Sequence, residues 1–262
     1  MLTAEQNERL TRVGPGTPGG ELLRRYWHPV AMVPDLSDES PTRHVRLLGE
    51  DLVLFRDKSG RVGLLADHCP HRGASLLYGR VEERGIACAY HGWLYDVEGN
   101  CLETPAEPAD SLLHLTVKHR AYPVRERYGL YWAYLGPSPA PVLLRYDFAE
   151  LGPLSVSVTG YDCNWLQCVE NNLDQAHVLI LHQNTAQRGA AESNSTRGLI
   201  DQLAGFEYEE VPLGIKRQQV HQGGEVETDL MILPGSQRIY NHMSFKVPLD
   251  DTHTHFVSIM AD

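Results

Sequence analysis

Between Cys69 and Trp93 the chain reads CPHRGASLLYGRVEERGIACAYHGW. Two short clusters of metal-ligating side chains stand in this stretch: Cys69-x-His71 and, after sixteen further residues, Cys88-x-x-His91. Four soft or borderline ligands shared between two loops require a fold that brings those loops together. Each loop offers one thiolate and one imidazole. A structural zinc site is the competing reading, but it more often pairs cysteines at one end, and its usual spacings differ from this one. A cluster of two irons accounts for the mixture. Each iron needs two protein ligands, so each loop gives its Cys to one iron and its His to the other. In the Rieske type of 2Fe–2S cluster two imidazoles replace two thiolates on one iron and raise the reduction potential.

The flanks agree with that reading. Pro70 stiffens the first loop, while Gly73 and Gly92 permit close backbone approach to the sulfurs. Tyr90, Trp93 and Tyr95 supply aromatic cover that limits solvent access. His68 matches no ligand position and reads as a hydrogen-bonding loop residue. Cys101, Cys163 and Cys168 read as ordinary small core residues.

Around this stretch the chain has a β texture. RHVRLLG, EDLVLFRD and RVGLLAD are three short strand-like runs, with DKSG as a hairpin turn between the last two, and YGLYWAYLG is a later aromatic strand. TAEQNERL at the start reads as a helix, with Thr3 as N-cap and Gln6 completing a capping box. Pro137 to Pro141 reads as a linker, LSVSVTGYDCNW as a further strand, and LQCVENNLDQAHVLILH as a helix. With 42% hydrophobic and 22% charged residues the composition is that of a soluble globular protein. Lys and Arg number 23 against 34 Asp and Glu, a formal charge of −11, which argues against nucleic acid or an anionic membrane as a main partner. No apolar run is long enough to span a bilayer, and the N-terminus has no signal-peptide core. Five cysteines, an odd number, argue against a disulfide framework and fit a reducing compartment. A cytoplasmic location is the resulting expectation.

A second constellation is Asp174-x-x-His177-x-x-x-x-His182. Two imidazoles and a carboxylate from elsewhere would make the facial triad of a non-haem Fe(II) oxygenase. This spacing alone does not decide, because histidines on an apolar helix are commonly core or surface residues. Residues five apart also lie about 140° apart around a regular helix, so His177 and His182 converge only if the helix ends or bulges near Ile180 and Leu181.

Together the two constellations resemble the oxygenase (α) component of the Rieske non-haem iron aromatic ring-hydroxylating oxygenases, in particular the phthalate-dioxygenase-like group. The resemblance extends through NERLTRVGPGTPGGELLRRYWHPV, the Cys/His motif, YHGWLYDVEGNCLETPAEP and NWLQCVENNLDQAHVLILH, and so covers most of the chain. It implies that Cys69, His71, Cys88 and His91 ligate the 2Fe–2S cluster, and that His177 and His182 ligate a mononuclear Fe(II). It further implies that Asp174 links a cluster histidine to an iron histidine across a subunit boundary, with Asn171 a polar position beside the iron. Homotrimers, and electrons from a separate NAD(P)H-dependent flavin and iron–sulfur reductase, belong to the same implication. One departure stands out. The family's third iron ligand, a carboxylate far toward the C-terminus, has no matching stretch here, so the chain reads as truncated with an incomplete iron site. Asp250 and Asp251 carry no ligand role in the resemblance.

The expected fold class is α+β: an all-β Rieske 2Fe–2S domain plus a partial α/β catalytic domain, an antiparallel sheet with helices of helix-grip-like form. The expected boundaries are 1–27 for an N-terminal helical segment packing on the catalytic domain, 28–137 for the Rieske domain, and 138–262 for the partial catalytic domain. The expected function is O2-dependent hydroxylation or O-demethylation of a small aromatic substrate. The alternative is a Rieske-type electron carrier, or an inactive fragment, without oxygenase chemistry of its own.

Overall fold

The computed structural model describes residues 2–108, 110–174, 177, 181 and 203–261. The chain divides into two units, one of residues 1–145 with 247–253, the other of residues 146–246 with 254–262. The fold is mostly antiparallel sheet with few helices, as the α+β reading expects.

In the first unit, helix α1 (Ala4–Thr11) starts with the capping box expected from its sequence. Gln6 N–H donates to Thr3 Oγ1 (3.2 Å) and Thr3 N–H donates to Gln6 Oε1 (2.8 Å), so two backbone donors that a helix start leaves without partners are satisfied. Helix α2 (Pro18–Leu23) follows, with Thr17 as N-cap and Pro at its first position. The strands are β1 (Trp27–Met32), β2 (Thr42–Leu47), β3 (Glu50–Arg56), β4 (Val62–Ala66), β5 (Arg80–Glu82), β6 (Gly85–Ala87), β7 (Leu94–Tyr95), β8 (Cys101–Glu103), β9 (Ala121–Tyr122), β10 (Val124–Arg127) and β11 (Leu130–Tyr134). They form three antiparallel sheets in the orders β1-β11-β10, β2-β3-β4-β9 and β5-β6-β7-β8.

Every residue of β11, and Leu52 to Phe55 of β3, is buried. These strands therefore lack polar alternation, the pattern of strands covered on both faces. The Asp57–Arg61 hairpin turn is closed by the Asp57 carboxylate, which accepts from the Ser59 and Arg61 backbone N–H groups. Pro137 to Pro141 is tied to the first unit: Tyr134 Oη donates to Pro137 O (3.0 Å) and Trp27 Nε1 to Pro141 O (2.8 Å).

Among its described residues the second unit forms one seven-stranded antiparallel sheet. Its strands are β12 (Leu154–Tyr161), β13 (Leu203–Val211), β14 (Gly214–His221), β15 (Val226–Ile232), β16 (Ser236–Ile239), β17 (His242–Pro248) and β18 (Thr254–Ala261), in the order β12-β18-β17-β16-β15-β14-β13. The register between β12 and β18 runs from Leu154↔Ala261 to Tyr161↔Thr254. Helix α3 (Trp165–Leu173) buries Trp165 and Val169. Three strands hold its C-terminal end. Gln237 of β16 accepts from Asn172 Nδ2 (2.6 Å), Arg217 of β14 donates to Asn172 O (2.7 Å), and Tyr208 of β13 donates to Leu173 O (2.9 Å). Carbonyls that a helix end leaves unpaired are thereby satisfied, and the residue that follows, Asp174, is delivered from a fixed point.

Candidate functional site

The first ligand loop lies between β4 and β5, and the second joins β6 to β7. Both close in the same way. Cys69 N–H donates to Ala74 O (2.9 Å) while Cys69 O accepts from Gly73 N–H (2.8 Å). Cys88 N–H donates to Trp93 O (2.9 Å) while Cys88 O accepts from Gly92 N–H (2.9 Å). In each loop the cysteine is thus bonded to the residues four and five places on, and the fourth is a glycine with positive φ, +71° at Gly73 and +73° at Gly92. Backbone in that region strains any residue with a Cβ, which explains a glycine four after each cysteine. The histidines stand at the third and fourth positions of two otherwise matching turns, so Cys-x-His and Cys-x-x-His are variants of one loop.

The loops converge. The His71 and His91 rings are 4.6 Å apart, both half-buried, whereas Cys69 and Cys88 are only 2% and 4% exposed. The two sulfurs sit in an apolar cluster with Val53, Phe55, Leu65, Leu76, Val81 and Ile86. Trp93, from the second loop, stacks flat on His71 of the first, with centroids 4.4 Å apart and planes 2° apart. Tyr90 lies 3.9 Å from His91. Tyr95 has a sharper role than aromatic cover: it is fully buried and its hydroxyl is 3.3 Å from Cys69 Sγ. Burial first, then the neighbouring sulfur, push the Tyr95 phenol far above its ordinary range, so it remains an O–H donor toward that sulfur. Burial likewise pushes the Cys69 thiol up, against the hydrogen bond from Tyr95. A buried site of this kind holds thiolate only when a cation compensates it. Two buried sulfurs and two half-exposed imidazoles on facing loops fit the donor set of a 2Fe–2S cluster of the Rieske type. His68 is exposed and its Nδ1 lies 3.1 Å from Gly73 O, a loop contact and no part of the donor set.

The second constellation is seen in part. Helix α3 was expected to run on through His177, but it stops at Leu173, and Asp174 is its C-cap with extended backbone (φ −84°, ψ 101°). Short polar side chains compete with helix continuation by bonding nearby backbone. Here the Asp174 carboxylate accepts from His177 N–H at 3.4 Å. Its other oxygen is 3.6 Å from His177 Nδ1. Asp174 thus faces His177 from beyond the end of α3. Asn171 is exposed on α3. His182 and the expected bulge at Ile180 lie outside the described residues. Asp250 and Asp251 are engaged in the first unit. Asp250 accepts from Arg46 Nε and from the Thr252 and His253 N–H groups, each at 2.9 Å, and Asp251 accepts from Val13 N–H at 2.8 Å. Cys101 is buried as expected, but Cys163 and Cys168 are half-exposed and adjacent, which corrects their reading as core residues.

Comparison with known proteins agrees with this geometry. The Rieske [2Fe-2S] domain family matches residues 26–123. The chain is 39% identical over 262 residues to the 5,5'-dehydrodivanillate O-demethylase oxygenase subunit of Sphingobium sp., covering 96% of this chain and 61% of that protein. It is 39% identical over 279 residues to the phthalate 4,5-dioxygenase oxygenase subunit of Pseudomonas putida, covering 98% of this chain and 63% of that protein. The chain therefore spans a little over three fifths of the length of these relatives. The crystal structure of dicamba monooxygenase bound to dicamba shares the fold, with a TM-score of 0.72 and 21% identity over 91% of this chain and 77% of that one. No helix among the described residues is long and apolar enough to cross a membrane. Two matching ligand loops that converge on one point, a β domain that the Rieske family model matches, and relatives named as oxygenase subunits make the chain a member of the Rieske oxygenase family.

Proposed function

We propose that this chain belongs to the oxygenase component of a multicomponent system. It receives electrons from an NAD(P)H-dependent flavin and iron–sulfur reductase and uses them, with O2, to hydroxylate or O-demethylate a small aromatic substrate. The observation that carries the reading is the convergence of the two ligand loops in a chain that also holds a second unit with Asp174 against His177. A 2Fe–2S cluster on Cys69, His71, Cys88 and His91 supplies one-electron transfer. His177 and His182 would hold an Fe(II), which would supply oxygen-activating chemistry.

The protein's own groups do the rest. The apolar cluster around Cys69 and Cys88 excludes water from the sulfurs, and Tyr95 donates toward one of them. Trp93 and Tyr90 hold the imidazoles against rotation while leaving them half-exposed toward an electron partner. The Asp174 carboxylate, 3.6 Å from His177 Nδ1, would favour a proton on that nitrogen and so the tautomer in which Nε2 is the ligating nitrogen. The aromatic substrate class rests on the relatives' names, since O-demethylase and phthalate dioxygenase subunits both lie at 39% identity.

The second reading, a Rieske-type electron carrier, requires only a small β domain; the seven-stranded unit with Asp174 and His177 disfavours it. Metal content separates the two. Anaerobically reconstituted protein should hold about three irons per chain as an oxygenase component and about two as a carrier. Substrate-dependent O2 uptake with a reductase is the second readout. Iron at the carrier value with no substrate-dependent uptake would remove the oxygenase reading.

A further inference from the structure

Cys163 and Cys168 take no part in either constellation. Cys163 precedes Asn164, the N-cap of α3, and Cys168 lies within the helix. Their sulfurs are 3.4 Å apart and both residues are half-exposed. A disulfide needs a sulfur separation near 2.05 Å, so the two sulfurs need approach by little more than an ångström to bond. The Cys163 carbonyl is held by Thr254 Oγ1 (2.9 Å), which fixes the backbone of the non-helical partner. Beside the pair stands Lys246 of β17, only 3% exposed. Its ammonium donates to Ser244 Oγ (2.9 Å) and lies 4.3 Å over the Phe256 ring. Burial brings Lys246 down to about 8, against the pull of the nearby Cys168 sulfur, so it is still mostly charged near neutral pH. A buried ammonium is expensive, and a thiolate beside it would offset that expense.

We propose that Cys163 and Cys168 form a reversible dithiol–disulfide site, oxidised by hydroperoxides, with Lys246 as its fixed positive charge. The Cys163 thiolate attacks one peroxide oxygen; the O–O bond breaks, and hydroxide leaves and is protonated to water. Cys163 is then a sulfenic acid. Cys168 attacks its sulfur, the S–O bond breaks, and the departing hydroxide takes the Cys168 proton as a second water. Each sulfur gives up one electron and the peroxide takes two, so two thiols and one hydrogen peroxide become one disulfide and two waters. The order follows from the environment. Burial, reinforced by the neighbouring Cys163, pushes the Cys168 thiol up to about 11, so it keeps its proton until the second step. Lys246 then stabilises the thiolate that forms as Cys168 attacks.

The test does not depend on the oxygenase reading. No Lys or Arg occurs between Arg145 and Arg188, so one tryptic peptide, residues 146–188, carries both cysteines and neither of the cluster cysteines. The reduced full chain is treated with a slight molar excess of hydrogen peroxide, alkylated and digested. The expected peptide is lighter by two hydrogens, unalkylated, and takes two alkyl groups after dithiothreitol. Cys168→Ser should stop at a Cys163 sulfenic acid that dimedone traps, and Cys163→Ser should leave Cys168 a free thiol under the same exposure. Lys246→Met should slow disulfide closure about tenfold. A wild-type peptide alkylated at both cysteines without reduction, or carrying independent sulfinic acids, would overturn the proposal, and an unchanged rate in Lys246→Met would remove the lysine from it.

Discussion

At the residue scale the decisive pair is Tyr95 and Cys69. Reduction adds negative charge to a cluster held by buried sulfurs, and a donor aimed at one of them strengthens as that charge grows. The Tyr95 hydroxyl, 3.3 Å from Cys69 Sγ, therefore favours the reduced state. Tyr95→Phe keeps the ring in the core and removes the donor. If the bond is worth about 1.4 kcal/mol more in the reduced state, the potential should fall by on the order of 60 mV for a one-electron couple. A redox titration followed by visible absorption checks this, and an unchanged potential would mean that the hydroxyl faces elsewhere once the cluster is bound. The ligands themselves give a larger effect. His71→Cys would replace one imidazole of the donor set by a thiolate and should move the potential downward, toward the roughly −400 mV of plant-type ferredoxins. Loss of the cluster without a shifted couple would count against His71 as a ligand. Much of this site was legible in the sequence because each loop encodes its ligands and its turn within six residues, Cys69 to Ala74 and Cys88 to Trp93. Sequence order alone placed Tyr95 among the aromatic cover. Its aim at Cys69 comes from the β6–β7 pairing Ile86↔Tyr95, a tertiary fact.

At the scale of elements, hairpins and caps followed from local residues, whereas the end of α3 did not. The DKSG turn and the Thr3 capping box depend on side chains within four positions of one another. The stop at Leu173 depends on Tyr208, Arg217 and Gln237 from three distant strands, and an apolar run through His177 hid it. The Val247–His253 segment is another element whose placement is non-local. Arg46 reaches Asp250 and Val13 reaches Asp251, so two side chains anchor it within the first unit. Burial raises the Asp250 carboxyl, but the Thr252 N–H, His253 and Arg46 together outweigh it and hold it well below the carboxylate range. The folded-state value is depressed, so the stabilisation is fully present above the unfolded value of about 3.9 and is lost as pH falls through the folded one. Asp250→Asn should lower the melting temperature by a few degrees near neutral pH, and the gap to wild type should shrink as the pH drops below about 4. A gap of constant size across that range would show that the carboxylate charge is not what anchors the segment.

At the scale of the whole molecule the question is how an electron leaves the cluster for the second unit. The chain's relatives are named as oxygenase subunits, and we propose a homotrimer in which Asp174 of one subunit bridges its own His177 and a cluster histidine of the next. The position suits that task. Asp174 ends α3, three strands fix the helix end, and the carboxylate is more than half exposed while one oxygen stays 3.6 Å from His177 Nδ1. A carboxylate that served only to cap the His177 backbone N–H would need no such exposure and would tolerate an amide, since Asn caps as well as Asp. That difference makes Asp174→Asn informative. Asn preserves the cap and the helix end, so folding, the cluster spectrum and bound iron should stay close to wild type. It places no negative charge between two imidazoles and cannot accept from both as strongly, so electron delivery should collapse. The cluster is reduced, substrate is supplied, and its reoxidation by O2 is followed in a single turnover. The expected result is reoxidation slowed by about ten- to a hundredfold, the size of effect seen when a group that orients a metal ligand is lost, with product falling in parallel. Reoxidation and product formation at the wild-type rate, with the cluster and iron intact, would reduce Asp174 to a helix cap.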